Sequence, residues 1–249
     1  IKKYKLKVIK IKNFLPGKAI NYGIKKSKGK IIVCLSAHCI PVNKNWLENL
    51  VFDLNDENVA GVYGRQEPLS YSNDLDKRDL ITVFGLDKKI QKKDPFFHNA
   101  NSAFLRNTWK KFPFDEKVTN IEDRVWGHQV IKNNLKIIYE PLASVYHFHG
   151  IHQNLNEERA RNVVRIIEKY QNQYQNGFSK LKKNKLKIAA IIPSKENLKL
   201  YRNKKLIDYT LNSALKSKFI KDIYVAAQNN SVKKYFKSKK NIKLIPRPI

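Results

Sequence analysis

Hydrophobic and polar positions follow two different periods in the first half of the chain. Ile31–Leu35 is an unbroken apolar run of strand length, and residues 59–63 form another. Residues 18–26 and 46–54 have the spacing of helices, whereas residues 5–11 alternate as a short strand does. Strands that alternate with helices predict an α/β fold, with Ile31–Leu35 as a central parallel strand buried on both faces.

A polar, Lys-rich stretch interrupts this pattern, and a new strand–helix–strand series follows it. A restart of this kind after a polar linker is typical of a second domain. We therefore predict one domain over residues 1–175, a linker over residues 176–186, and the beginning of a second α/β domain over residues 187–249.

Composition adds a formal charge of +29, from 50 Lys and Arg against 21 Asp and Glu. Such a charge raises the alternative of a nucleic-acid-binding protein. However, Lys outnumbers Arg, the excess is spread along the chain, and no aromatic-rich signature of RNA recognition is present. Attraction to nucleotide-sugar phosphates or to anionic lipid head groups is the more economical explanation.

No apolar run reaches the roughly 18 residues of a membrane span, and the cysteine usage favours a cytoplasmic location.

Three places carry residues suited to chemistry. Ser36 and His38 follow the first buried strand, where α/β sheets bind ligands; His38 could be a metal ligand, a diphosphate contact or a hydrogen-bonded loop residue. The adjacent acids Glu122 and Asp123 could supply a general base, or only complement a helix N-terminus. His147 ends a strand-like run with a second histidine two residues later, a spacing that places both on one face.

Taken in order, seven segments resemble family 2 glycosyltransferases, especially the rhamnosyltransferase-like group that builds bacterial surface polysaccharides. The segments are Pro-Gly-Lys-Ala-Ile-Asn-Tyr-Gly at 16–23, Leu-Ser-Ala-His-Cys-Ile-Pro at 35–41 with Trp-Leu at 46–47, Gly-Val-Tyr-Gly-Arg-Gln at 61–66, Asn-Ala-Asn-Ser-Ala at 99–103, Glu-Asp at 122–123, and Tyr-Glu-Pro at 139–141 up to His147. The resemblance implies a GT-A fold: a nucleotide-diphospho-sugar transferase, Rossmann-like, with a mixed sheet and flanking helices.

The resemblance also implies roles for individual residues. Asp123, with Glu122 beside it, matches the motif that holds the catalytic base of an inverting transfer. The residues implied in donor binding are Gly17, Lys18, Asn21, Gly23, Ser36 and His38. Those implied at the sugar and acceptor site are Arg65, Gln66, Asn99, Asn101 and Trp126. Those implied as ligands of a divalent metal are His38, His147 and His149.

One departure from the family affects the metal. Ser36 and His38 stand where the family has an Asp-x-Asp motif, and imidazole suits Mn²⁺ better than Mg²⁺. A non-catalytic scaffold for glycan biosynthesis is therefore the first alternative to an enzyme.

A second expectation concerns the extent of the chain. It begins at Ile1 and contains no Met, and the family has a β-α-β portion ahead of the matched segments. We therefore expect an N-terminally truncated transferase, inactive as given. Residues 191–227 are similar to the opening of acylneuraminate cytidylyltransferases, although the phosphate-binding loop lacks glycine.

The function that follows from the resemblance is sugar transfer from a nucleotide-sugar donor to a glycan or lipid-linked glycan acceptor. This transfer would take place in the cytoplasm, at the inner face of the plasma membrane.

Overall fold

A computed structural model describes residues 6–148, 157–171, 188–194, 198–227, 230–237, 239 and 241–246. The chain divides into two compact units, Ile1–Gln173 (unit 1) and Tyr174–Ile249 (unit 2). The predicted α/β class, with a mixed sheet and flanking helices, is confirmed. The identities assigned to the two domains remain predictions.

Unit 1 is built around a mixed sheet. Its described helices are α1 (Pro16–Lys26), α2 (Trp46–Phe52), α3 (Asp74–Val83), α4 (Arg106–Lys111), α5 (Glu122–Lys132) and α6 (Glu157–Gln171). Its described strands are β1 (Ile31–Leu35), β2 (Cys39–Pro41), β3 (Val59–Pro68), β4 (Lys89–Gln91), β5 (Asn101–Leu105) and β6 (Lys136–His147).

The strand order in this sheet is β1-β5-β3-β6-β2, with β4 also paired to β6. Among the described strands of this sheet, β3 and β6 run parallel, and the other pairs are antiparallel. The long β6 unites two strands that the sequence predicts separately, over residues 135–139 and 143–147. Its last residue, His147, pairs with Cys39 of β2 on one side and with Pro68 of β3 on the other.

Aromatic rings fill the core beneath α5. The Trp126 ring lies 4.6 Å from the Phe97 ring and 5.6 Å from the Phe104 and Phe114 rings, between centroids. The indole nitrogen of Trp126 donates to the Phe112 carbonyl, so its polar group is satisfied inside the core. This packing fixes α5 against the sheet.

Two strand predictions need correction. β1 is a strand, but it pairs only with β5 among the described residues, and that pairing is antiparallel. It lies at one end of the strand order, and Ile31, Val33 and Leu35 are 40%, 37% and 41% exposed, so β1 is buried on one face only. An apolar run therefore does not distinguish a central strand from an edge strand. Residues 6–11 form no strand despite their alternation, because local alternation cannot supply a partner.

Unit 2 is a smaller α/β unit. A parallel sheet of order β11-β10-β7 is formed by β7 (Ile188–Ser194), β10 (Ile220–Ala227) and β11 (Lys243–Pro246). Helices α7 (Leu206–Lys216) and α8 (Asn230–Lys237) bury Leu211, Val232 and Phe236 in its core. Leu200–Tyr201 (β8) and Lys204–Lys205 (β9) pair as a short hairpin. The cytidylyltransferase likeness of this unit remains a prediction.

Within the described ranges, no helix combines the length and the apolar character that a bilayer span requires.

Candidate active site

Two polypeptide segments meet at the carboxyl end of β1. The backbone N–H of Ser36, directly after β1, donates to the Ala100 carbonyl at 2.9 Å. Asn99, which precedes Ala100, contacts the first turn of α5, where Glu122 and Asp123 lie. The predicted Ser36 and Glu122–Asp123 sites are thereby brought to one end of the sheet.

Asn99 holds both carboxylates. Its backbone N–H donates to Asp123 Oδ2 at 3.1 Å, and its side-chain amide donates to Glu122 Oε1 at 3.3 Å. Asp123 Oδ1 also accepts from the Arg124 N–H at 2.8 Å. Glu122 is only 6% exposed, whereas Asp123 is half-buried. The adjacent acids therefore differ in access to solvent.

Burial raises the pKa of both carboxyl groups above the ordinary range. For Glu122 the negative charge of Asp123 raises the pKa further, and the Asn99 amide opposes the shift. For Asp123 the backbone N–H groups of Asn99 and Arg124 oppose the effect of burial on the pKa. Carboxyl groups that take up protons nearer to neutral pH are suited to general base catalysis.

Arg159, in the first turn of α6, is a residue that the sequence reasoning missed. Its positive charge lowers the pKa of Glu122, and both carboxylates in turn favour its charged form, although burial lowers the pKa of Arg159 overall. No sequence motif indicates this interaction, because only folding brings α6 toward α5.

Cys34 lies behind the carboxylates on β1. Burial raises the pKa of its thiol to about 12, and the charges of Glu122 and Asp123 raise it as well, while a hydrogen bond with Ser102 opposes the shift. A raised pKa disfavours the thiolate, which is the reactive form of cysteine.

The imidazoles of His38 and His147 lie together, although they are far apart in sequence. Their ring centroids are 4.8 Å apart, and the Ser36 hydroxyl lies 3.1 Å from His38 Nε2. A third ring, that of His98, lies 6.5 Å from His147. His98 Nδ1 accepts a hydrogen bond from the Ala100 N–H at 3.3 Å, so this ring nitrogen acts as an acceptor. The Gln66 side-chain Nε2, 3.0 Å away, therefore donates to the same nitrogen.

The described residues provide two nitrogen ligands for the implied metal rather than a complete shell. His38 and His147 are close enough to share one ion, while His149 lies outside the described residues. Across the described ranges, no set of three His, Cys, Asp or Glu residues is arranged to hold a metal. The pair fits part of a transition-metal shell, which a ligand would have to complete.

Several residues predicted at the sugar and acceptor site are buried instead. Trp126 has no exposed surface, so it cannot stack on a sugar; it packs the core beneath α5. Asn101 is also fully buried, accepting from Trp46 Nε1 at 2.9 Å and donating to the Ala143 carbonyl at 2.7 Å. Gln66 is 1% exposed, and its Oε1 has no hydrogen-bond partner among the described residues.

Arg65, on β3, is partly exposed to solvent. Its guanidinium lies 3.2 Å from Glu67 Oε1, and the Ser144 hydroxyl donates to that same oxygen at 2.6 Å. The side chains of Arg65 and Glu67 are 24% and 25% exposed, so both can reach a ligand.

Two of the residues predicted in donor binding hold α1 in place. Asn21 is buried; its amide donates to the Phe114 carbonyl at 2.8 Å and its oxygen accepts from Trp109 Nε1 at 2.8 Å. A Cβ on Gly17 would lie 3.4 Å from Phe114 Cβ and would overlap the Asp115 carbonyl oxygen. Both residues therefore anchor the helix, which explains their place in the motif without a ligand contact.

Gly23 and Lys18 are the other two residues of this segment that were predicted in donor binding. A Cβ added at Gly23 would have no neighbouring atom within 4 Å. Lys18 is half-buried and lines a groove of about 370 Å³ beside α1. The residues lining this groove are Lys10, Ile11, Lys12, Lys18, Tyr22, Lys25 and Glu116.

Comparison with known proteins gives a consistent picture. The sequence model of the family described as "Glycosyl transferase family 2" matches residues 1–112. The chain is 31% identical over 129 residues to the O-antigen chain rhamnosyltransferase WbaN of Salmonella anatum, covering 48% of this chain and 41% of that protein. It is 25% identical over 150 residues to the O-antigen chain rhamnosyltransferase RfbN of Salmonella typhimurium, covering 56% of this chain and 48% of that protein. The chain thus spans less than half the length of these relatives.

Two solved structures show weaker likeness. The mannosyltransferase PcManGT from Pyrobaculum calidifontis, in complex with GDP-Man and Mn²⁺, matches with a TM-score of 0.46 and 20% identity, over 63% of this chain and 43% of that chain. GalNAc-T7 with UDP, GalNAc and Mn²⁺ matches with a TM-score of 0.43 and 14% identity, over 55% of this chain and 31% of that chain.

Proposed function

We propose that unit 1 belongs to a family 2 glycosyltransferase of the GT-A type, which moves a sugar from a nucleotide-sugar donor to a glycan acceptor. The observation that carries this proposal is the carboxylate pair Glu122–Asp123, held by Asn99 where β1 ends. The family match over residues 1–112 covers β1, Ser36 and Asn99 and supports the same function independently.

Asp123 is the base in this proposal. It is more exposed than Glu122, and each of its carboxylate oxygens keeps a lone pair beyond the bonds from the Asn99 and Arg124 backbone N–H groups. Asp123 takes the proton of the acceptor hydroxyl as that oxygen bonds to the anomeric carbon. The bond from the anomeric carbon to the diphosphate oxygen breaks on the opposite face, so the configuration inverts and the nucleotide diphosphate leaves with the electron pair.

Glu122 and Arg159 are positioning residues in this scheme. Burial raises the pKa of Asp123 above the ordinary carboxyl range, which makes it a stronger base, and the pKa of Glu122 is raised by burial and by the charge of Asp123. Arg159 counters part of the negative charge of the pair and so keeps its ionised form accessible near neutral pH.

A divalent metal, preferably Mn²⁺, would be held by His38 and His147, whose rings are 4.8 Å apart. When bound, such an ion would neutralise charge on the departing diphosphate. Lys18 and the other lysines of its groove would provide additional positive charge for phosphates. Arg65 and Glu67 are placed to contact the sugar or the acceptor.

The names of the two Salmonella relatives support a place in O-antigen or similar surface polysaccharide synthesis. We propose in addition that transfer takes place at the cytoplasmic membrane face. One observation favours a second candidate, the non-catalytic scaffold. In the part of the chain that the structure describes, no three-ligand metal group exists. A scaffold would bind glycan or partner enzymes without releasing nucleotide.

The test is nucleotide release by the full product of the gene from a panel of nucleotide sugars, with Mn²⁺, with Mg²⁺ and with chelator. We expect release from one donor, lost in Asp123→Asn while donor binding persists. Glu48→Gln is the matched control, because Glu48 is also an acid in a first helical turn but is exposed and far from α5 in sequence. Full activity of Asp123→Asn would refute the base assignment, and folded, donor-binding protein without release on any acceptor would favour the scaffold.

A further inference from the structure

Two neighbouring aromatic side chains of unit 1 expose most of their surface to solvent. Tyr71 is 70% exposed and Phe148 is 54% exposed, and their ring centroids are 6.3 Å apart. Single exposed apolar residues are common on protein surfaces, but adjacent exposed rings mark binding surfaces more often.

Hydrogen bonds fix the loop that carries Tyr71. Ser72 is buried; its N–H donates to the Leu69 carbonyl at 3.0 Å and its hydroxyl donates to the Phe148 carbonyl at 3.1 Å. Asn73 caps α3 by accepting from the Asp76 N–H at 2.9 Å. The backbone between β3 and α3 is therefore tied to the end of β6, and the two rings are held together before any ligand binds.

The two rings lie beyond the ends of β3 and β6, the strands that carry several residues of the candidate site. Phe148 directly follows His147, which pairs with Pro68 at the end of β3 and whose ring lies 4.8 Å from that of His38. Arg65 and Glu67 precede the Tyr71 loop on β3. A ligand on the rings would therefore lie beyond the strand ends that carry the residues proposed to handle the sugar.

We propose that Tyr71 and Phe148 form a platform that binds a pyranose ring of the acceptor glycan. A pyranose has a face of C–H groups and an edge of hydroxyls, and the electron-rich face of an aromatic ring attracts such C–H groups. This assignment rests on the proposed glycosyltransferase function, and it names the acceptor side of that site.

The local charge disfavours an anionic membrane as the occupant. Residues 67–75 contain no Lys or Arg, and Asp74 begins α3; Asp76 is buried, and the cations Lys77 and Arg78 lie further along the helix. A neutral ring stacked on the aromatic faces meets no such repulsion.

The experiment compares Tyr71→Ala and Phe148→Ala with Tyr71→Phe, which keeps the ring and removes the hydroxyl. Phe52→Ala is the matched control, because Phe52 is 66% exposed at the end of α2. We expect the acceptor KM to rise about tenfold in the two ring-deleted variants, the change expected for loss of one ring contact. Tyr71→Phe, Phe52→Ala, the donor KM and donor hydrolysis without acceptor stay unchanged.

An unchanged acceptor KM in both ring-deleted variants would overturn the platform. Loss of binding to phosphatidylglycerol vesicles in Tyr71→Ala, with an unchanged acceptor KM, would also overturn it and identify a membrane surface.

If the wild-type protein turns over no donor, the proposed function fails and the platform is judged separately. Titration with methyl α-L-rhamnopyranoside, followed by NMR of the aromatic side chains, then decides. Shifts that disappear in Tyr71→Ala support sugar binding, and the absence of shifts at tens of millimolar sugar contradicts it.

Discussion

Replacing Gly127 by Ala is expected to destabilise unit 1, although Ala is the better helix former. Gly127 lies in α5, and a Cβ there would lie 2.9 Å from the Pro95 carbonyl carbon, 3.3 Å from Pro95 Cα and closer still to the carbonyl oxygen. Because the obstacle is backbone, either α5 or the segment at Pro95 has to move.

The magnitude follows from a comparison with Gly23, which lies in α1 and whose built Cβ meets nothing within 4 Å. Gly-to-Ala replacement in a helix stabilises by about 1 kcal/mol, and this gain is common to both sites. Overpacking a filled site costs about 1–3 kcal/mol. We therefore expect the free energy of unfolding of Gly127→Ala to lie about 1–3 kcal/mol below that of Gly23→Ala.

The same displacement should reach the active site. α5 carries Asp123 at its start, and the segment from Pro95 leads to Asn99, whose backbone N–H bonds Asp123. A shift of about 1 Å between catalytic groups costs on the order of 100-fold in rate. Urea unfolding followed by Trp fluorescence measures the stability difference, and nucleotide release measures the rate. Equal stabilisation of both variants would refute the packing argument.

Three further outcomes are expected. Transfer should fall as the pH falls through the raised pKa of the carboxylate pair, so the acid limb of a pH–rate profile lies above the ordinary carboxyl range; a limb near pH 4 would contradict this. Because the pKa of Glu122 is raised in the folded state, its carboxyl group stabilises the folded state at low pH, and this stabilisation is lost as the pH rises. Glu122→Gln should therefore raise the Tm, measured by thermal unfolding, more at pH 8 than at pH 5. Asn101→Ala should lower the free energy of unfolding by about 1–3 kcal/mol, since it leaves Trp46 Nε1 without its acceptor; denaturant titration would show little change if Trp46 finds water instead.

Local pattern predicted most of the regular elements. The apolar period gave α1 and α2 with small boundary errors, and the acidic start of α5 marked its first turn. These features depend on neighbours in sequence, so a single sequence contains the information.

Pattern could not assign roles to polar and aromatic residues of the motifs. Trp126 and Asn101 were both predicted at the sugar and acceptor site, yet both are fully buried and stabilise the core. A sequence motif can contain a residue because it packs in the core or because it contacts a ligand. The burial of the side chain in the folded structure distinguishes these two roles.

The sequence by itself determined the α/β class, the positions of the helices and the candidate acids, because periodicity and helix-start preferences act over a few residues. The tertiary structure alone decided that β1 is last in the strand order of the described residues, that His38 meets His147, and that Asn99 and Arg159 act on the carboxylate pair. Those relations join residues far apart in the chain. They arise from strand pairing and burial, which a one-dimensional pattern does not specify.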